Sequence, residues 1–406
     1  MLFKEMLHTL KRQFPWLLLE GEPAVDMAQN ESQLLTALPL VTSDVLEEFY
    51  YTPTNPLLNE TDMNRYQTSG TSGKRRKTIL YSPADEEAYL RIKLDVFKRI
   101  LNGTHYRTAM ADMGTGHAEA TAVDVFRALG MEVESVSFQL PIEAHIERLQ
   151  NFRPEVLYTM PSILDRLLLA SENPAAYGIR HVILVGEIAS PAWRKRAAER
   201  LGIAETQITD TYGSIEIGTI AYWAHEVGRY VFTEGIIAEG VSVDVLGIEM
   251  DPLADKQEQV LVLTSTVRDS FPALRYVTYD VVRDLRTIDI DGVLTPSFQS
   301  IVKRIGPDLK HGEKISIYDL EDVVYSHVRD ASIRVEVKGN ALAVYVYRSQ
   351  IEQAVLDSIR TDIENRIPAI GMMIRARLLE GIQVMAGTYE DAHHRTSVKN
   401  KKIFYT

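Results

Sequence analysis

Seven consecutive residues, Thr68-Ser69-Gly70-Thr71-Ser72-Gly73-Lys74, combine hydroxyls, glycines and a lysine. Glycines let backbone N–H groups converge on an anion, hydroxyls add donors and Lys74 adds charge, so the stretch suits a phosphate. The same composition also marks a hydrated linker. It is not a Walker loop, because Thr68 stands where Gly is required and Arg75 follows Lys74 where Ser or Thr is required. Further on, Asp210-Thr211-Tyr212-Gly213-Ser214-Ile215-Glu216 sets a flat ring beside a glycine and a carboxylate three residues beyond it. That suits a planar ligand and a hard cation bridging phosphates, or else is a tight turn with a surface acid. Asp280 closes the run Phe271 to Asp280, and its two acceptor oxygens suit a vicinal diol. Gly186 and Glu187 follow an apolar strand-like run, where open parallel sheets place ligands, although an ordinary strand-to-helix turn reads the same way. The basic stretch Ser397 to Ile403 offers Lys399 and Lys401, able to neutralise charge between a carboxylate and a phosphate, or to form a solvated tail.

In this order the stretches resemble the adenylate-forming enzymes, the superfamily of acyl-CoA synthetases, peptide-synthetase adenylation domains and luciferases. The resemblance is closest to the phenylacetate–CoA ligase branch and spans roughly Tyr66 to Ile403. It implies that Thr68 to Lys74 closes on the phosphates of ATP and that Glu216 holds Mg²⁺. Gly186, Glu187, Asp210, Thr211, Tyr212, Gly213, Asp280 and Arg304 would surround adenine and ribose. Gly116, His117, Tyr158, Met160 and Pro161 would line the acyl pocket, and Lys399 would be the catalytic lysine. Asp308 would be the hinge, although Gly306 and Pro307 stand where relatives have acids. Tyr279 replaces the glycine that relatives carry before the ribose-binding aspartate.

The implied reaction is attack of a carboxylate on the α-phosphate of ATP, giving an acyl-adenylate and pyrophosphate. Transfer to a thiol follows, coenzyme A first and a carrier-protein phosphopantetheine second. A nucleotide-binding relative without catalysis is the third option. Tyr158 and Met160 point to an apolar, aromatic acid, and a homodimer is allowed.

The elements that must position these residues follow from periodicity. A capping box at Ser82-Pro83-Asp85 predicts a helix start, with Leu90, Leu94, Phe97 and Leu101 as its buried face. Helices at Ala120 to Leu129, Ser162 to Ser171 and after Pro191 alternate with strands at Glu132 to Phe138, Val156 to Thr159 and His181 to Val185. That rhythm predicts a parallel, helix-covered sheet. Short alternating strands from Val241 to Thr295 predict an antiparallel or barrel-like subdomain. Near Lys303 a small α+β unit begins. It has a helix at Ile317 to His327, a hairpin about Gly339-Asn340, a helix at Ile351 to Arg366 and a third strand at Met373 to Leu379. The expected fold is α/β, with a large multi-sheet adenylation domain at 1–302 and a small mobile α+β domain at 303–406.

The 406 residues are 45% hydrophobic and 25% charged, enough for two or three cores. A net charge of −12 argues against nucleic acid and anionic membrane as partners. No apolar run reaches membrane-spanning length, and a cytoplasmic enzyme is expected. Cysteine is absent, which removes disulfides, thiolate metal sites and cysteine nucleophiles. The adjacent His393-His394 reads as a solvated turn, and Trp193 and Trp223 as packing residues.

Overall fold

The computed structural model describes residues 3–18, 31–67, 77–113, 117–247, 253, 255–305, 317–328, 331–338, 341–348, 350–375, 377, 379–387 and 403–405. The phosphate-loop expectation at 68–74, Gly116, the turn at 339–340, Asp308, His393, His394, Lys399 and Lys401 lie outside these residues.

Helices α1 (Phe3–Gln13), α2 (Glu31–Ala37) and α3 (Ser43–Phe49) precede β1 (Asn64–Gln67), β2 (Thr78–Tyr81) and α4 (Pro83–Leu101). An alternating stretch follows: β3 (Thr108–Asp112), α5 (His117–Ala128), β4 (Glu132–Val136), α6 (Ile142–Phe152), β5 (Val156–Thr159), α7 (Pro161–Ala170), β6 (His181–Leu184), α8 (Pro191–Leu201) and β7 (Ile208–Ser214). The strands β8 (Gly218–Ala224), β9 (Arg229–Phe232), β10 (Ile236–Val241), β11 (Glu258–Ser265), β12 (Tyr276–Arg283), β13 (Arg286–Ile290), β14 (Val293–Phe298) and β15 (Ser300–Arg304) come next. The chain ends with α9 (Ile317–His327), β16 (Ser332–Lys338), β17 (Ala341–Tyr347), α10 (Gln353–Arg366), α11 (Pro368–Arg375), β18 (Gly381–Gly387) and β19 (Ile403–Tyr405). The fold is α/β, with a large multi-sheet N-terminal part and a smaller C-terminal part.

Two compact units emerge. The first comprises Met1–His105, Thr115–Gly130 and Thr211–Gly312; the second comprises Tyr106–Gly114, Met131–Asp210 and Glu313–Thr406. In the first, β10, β11, β12 and β15 form an antiparallel sheet whose inner face holds Val260, Val262, Val277 and Val281. Of the antiparallel subdomain expected at Val241 to Thr295, β11 and β12 lie in this sheet, whereas β13 and β14 pair with each other and β14 with β9. The N-terminal segment is stitched to it: Val41 exchanges backbone hydrogen bonds with Arg275 and Val277, and the Arg275 guanidinium holds the carbonyls of Thr36 and Leu38.

Helix α4 starts as expected. The Ser82 hydroxyl accepts from the Asp85 N–H, Asp85 accepts from the Ser82 N–H, and Pro83 takes the first turn where no donor is needed. Its buried face differs from the expectation. Leu90 is exposed and Leu94 half-buried, while Ile92, Lys93, Val96, Phe97 and Leu101 are buried. The stripe is displaced because a lysine occupies a core position that hydrophobic periodicity passes over. Lys93 donates to the carbonyl of Ala118 and lies near the faces of Tyr89 and Phe97. Burial pushes its ammonium down to about 7. Between that value and about 10.5 the unfolded chain binds a proton that the folded chain does not, so stability should rise with pH across this window. Lys93→Met should gain about 2–4 kcal/mol at neutral pH and lose that slope. Chemical denaturation at several pH values checks it, and equal slopes in the two proteins would refute it.

In the second unit β3, β4, β5, β6 and residues 208–210 of β7 pair in parallel. Every residue of β5 and β6 is buried, as strands covered on both faces must be. The mixed sheet β18-β17-β16-β19 shares one apolar core with this sheet's helices, running from Leu164, Leu167 and Trp193 to Leu320, Val324 and Ile359. Polar groups are buried in the same place. Ser190 donates to Glu321, Trp193 Nε1 donates to Asp165 (2.9 Å), and Arg196 bonds Asp165 while its guanidinium lies 5.4 Å from the Tyr325 ring centre. Where a strand is expected at Met373 to Leu379, residues 373–375 instead end α11, which begins at Pro368. Proline stops a preceding helix but is also favoured as the first residue of the next, and the apolar run after it took the helical option.

Candidate active site

Five of the expected ligand residues meet in the first unit. Asp280 on β12 is opposite Arg304 on β15 in register. The Tyr212 hydroxyl donates to Asp280 Oδ2 at 2.6 Å, and Arg304 Nε lies 4.0 Å from Oδ1. Burial, then the Asp280 carboxylate, pushes the Tyr212 phenol well above its ordinary value, so it stays a donor. The carboxylate raises Arg304 beyond its ordinary value, but at 4.0 Å and with the Arg304 side chain 63% exposed this pair is screened and weak. Tyr212 is therefore the firm anchor of Asp280, leaving acceptor capacity on the carboxylate for a diol.

Gly213 follows, paired with Thr219 of β8 at a register shift in the β7–β8 pairing. A Cβ there would lie 2.7 Å from the Gly218 carbonyl oxygen, so no side chain fits without displacing backbone. Glu216 sits in the turn after β7, half-buried. Its carbonyl accepts from Arg268 Nε at 3.0 Å, and the neighbouring Ile215 carbonyl accepts from the Tyr81 hydroxyl at 2.8 Å. Arg268 was not visible as a site residue in the sequence. Its buried guanidinium bonds Asp85, holds the Leu80 carbonyl (2.9 Å) and stacks 3.8 Å from the Tyr81 ring centre. Asp85 also accepts from the N–H groups of Asp269 and Ser270. The helix cap, the β2 end and the Glu216 turn are thus tied to one ion pair. Only Asp85 gave a signal in the sequence, and that signal was for a cap.

Tyr279, in the place of the expected glycine, has φ of +62°, the left-handed conformation glycine would supply. Its hydroxyl accepts from the Ser43 N–H (3.0 Å) and pairs with the Ser43 hydroxyl (3.1 Å).

His117 opens α5, and its Nε2 lies 2.6 Å from Glu86 Oε2. Of the expected acyl-pocket residues it is the described one in the first unit; Tyr158, Met160 and Pro161 are in the second. There, Gly186 has φ of +82°, and a Cβ on it would meet the Met160 Cγ and Sδ at 3.7 Å. Glu187 accepts from the Ser162 N–H and hydroxyl, both at 2.8 Å, capping the start of α7 just after Pro161. Glu187 therefore fixes Met160 and Pro161 against the end of β6. Tyr158 is buried within β5. Asp210 and Thr211, both buried, continue β7 toward Tyr212.

Among the described residues no cluster of three or more His, Asp or Glu could hold a metal by itself. A Mg²⁺ ion bound through one carboxylate plus substrate phosphates needs no such cluster, and Glu216 fits that mode. No described helix is long and apolar enough to cross a membrane.

Residues 115–265 match the AMP-binding enzyme family, and residues 310–390 match the fumarate–diaminopropanoate ligase C-terminal domain family. The chain is 35% identical over 373 residues to a fumarate–(S)-2,3-diaminopropanoate ligase of Enterobacter agglomerans, covering 91% of each chain. It is 30% identical over 162 residues to a phenylacetate–coenzyme A ligase of Thermus thermophilus, covering 38% of this chain and 35% of that one. A crystal structure of 2-hydroxyisobutyryl-CoA ligase, in the postadenylation state with an adenylate, superposes with a TM-score of 0.75 at 14% identity, covering 99% of this chain and 89% of that one.

Proposed function

The chain belongs to the AMP-binding family of adenylate-forming ligases, and on that premise we propose that it activates a small carboxylic acid with ATP and transfers the acyl group to the amine of an amino-acid acceptor. The observation that carries the choice of acceptor is the 35% identity along almost the whole chain to a ligase that joins fumarate to diaminopropanoate, reinforced by the C-terminal domain match. In this reading the first 302 residues bind ATP and acid, and 303–406 form the smaller domain carrying Lys399. The substrate carboxylate attacks the α-phosphate while Lys399 offsets the developing charge. Asp280, anchored by Tyr212, would hold the ribose, Glu216 would hold Mg²⁺, and residues 68–74 would supply donors and charge to the phosphates. The acceptor nitrogen then displaces AMP.

Coenzyme A is the second reading, supported by the similarity to the phenylacetate–coenzyme A ligase over part of the chain. The test is pyrophosphate release from ATP across dicarboxylic, aryl and fatty acids, each with 2,3-diaminopropanoate, with coenzyme A or with neither. Faster turnover with the amine and amide product supports the first reading, and thioester product supports the second. Release that neither acceptor accelerates would point to a carrier-protein thiol. Lys399→Ala should lower adenylation by a factor of about 100 or more; full activity in both Lys399→Ala and Lys401→Ala would overturn the lysine assignment.

A further inference from the structure

The surroundings of His117 are more specific than packing requires. Tyr66 and Tyr89 stack on its imidazole with ring centres 4.2 and 4.5 Å away and interplanar angles of 27° and 26°, and Tyr81 meets it edge-on at 4.7 Å. Glu86 Oε2 takes Nε2, while Oε1 accepts from the Tyr66 hydroxyl (2.7 Å) and Asn64 Nδ2 (3.0 Å). The carboxylate is itself held in place. An ionised carboxylate only accepts, so Nε2 carries the proton and the lone pair is on Nδ1. This is the relation of an orienting carboxylate to a general base. The ring also adjoins the expected nucleotide turn, since Tyr81 beside it bonds the Ile215 carbonyl and stacks on Arg268, which bonds the Glu216 carbonyl.

We propose that His117 is the proton acceptor of the acyl-transfer step, taking a proton from the acceptor amine through Nδ1, with Glu86 as its positioning residue. The inference rests on the amine reading above. The acceptor arrives as an ammonium ion, and one N–H proton passes to Nδ1. The freed nitrogen lone pair forms the C–N bond, and the acyl C–O bond breaks with its electron pair leaving on the phosphate of AMP. The second proton is lost to solvent as the amide forms. Among the described residues, the charged and titratable groups around the imidazole include Glu86, Lys93, Arg268 and the three tyrosines. Burial holds His117 below its ordinary range, Lys93 and Arg268 act in the same direction and Glu86 opposes them, which keeps the ring unprotonated at neutral pH.

The test uses the full chain with ATP and fumarate, and compares two acceptors: 2,3-diaminopropanoate, which arrives protonated, and hydroxylamine, which is already largely uncharged at neutral pH. In His117→Gln the ratio of amide to hydroxamate formation at neutral pH should fall about 100-fold or more, and the acid limb of the amide pH profile should move up to the titration of the acceptor amine itself. Glu86→Gln should lower the same ratio about 10-fold. An equal loss with both acceptors, or no loss with either, would overturn the proposal by making His117 a structural or acyl-contacting residue. Wild-type protein that yields hydroxamate but no amide would overturn the amine reading and this inference with it.

Discussion

Asp280→Ala should nearly erase the preference for ATP over an analogue lacking both ribose hydroxyls. Hydrogen bonds to a charged acceptor contribute about 1.5–3 kcal/mol each, so two of them give the wild type a preference of roughly 100- to 10,000-fold. The alanine variant should use both nucleotides equally poorly. Comparing the two nucleotides within each protein removes any general loss of folded enzyme from the result. Tyr212→Phe should keep part of the preference, since it removes the anchor (2.6 Å from Oδ2) but leaves the carboxylate. If Asp280→Ala discriminated as well as wild type, the ribose would have to be held elsewhere.

The second large effect concerns stability. Arg268→Met should lower unfolding free energy by about 3–5 kcal/mol, because it leaves Asp85 charged and buried without its guanidinium. The carbonyls of Leu80 and Glu216 lose a donor at the same time. Asp85 retains three backbone donors, from Ser82, Asp269 and Ser270, which should hold the loss toward the lower end. Arg268→Met/Asp85→Asn should be less destabilised than Arg268→Met alone, because the uncompensated charge is gone. Urea denaturation of the wild type, Arg268→Met, Asp85→Asn and the double variant checks this, and strictly additive losses would show that the two side chains are not energetically coupled.

Local chemistry was legible in the sequence. The cap at Ser82, Pro83 and Asp85 involves residues within one turn, and the pairing of β16 with β17 follows from alternation on both sides of a turn-forming pair. The parallel rhythm was equally clear, because β5 and β6 are short apolar runs with helices after them. The motif residues Tyr212, Asp280 and Arg304 were identified by resemblance, and the structure brings them together. What escaped was polar pairing across long separations. Arg268 and Asp85 are 183 positions apart, and nothing near Arg268 in sequence distinguishes it from a surface arginine. Glu86 lies beside a capping residue on an amphipathic helix, where acids are common on the solvated side. Its partner His117 begins another helix, so only the packing of α4 near α5 reveals the pair. Lys93 misled the reading of α4 for the same reason: hydrophobic periodicity counts a lysine as exposed, and here its long stem and aromatic neighbours make it a core residue.

Tyr279 shows how a lost motif letter need not be a lost motif. Holding a tyrosine at φ of +62° costs roughly 1–2 kcal/mol relative to glycine, and the two contacts of its hydroxyl with Ser43 offset much of it. The shape of the strand before Asp280 is kept, but it is now underwritten by a residue 236 positions earlier in the chain. Ser43 and Tyr279 therefore act as one structural unit. A tyrosine at 279 gains from a hydrogen-bonding partner at the start of α3, which a glycine there could not use. Through Ser43 the N-terminal segment helps to set the shape of the strand that carries Asp280.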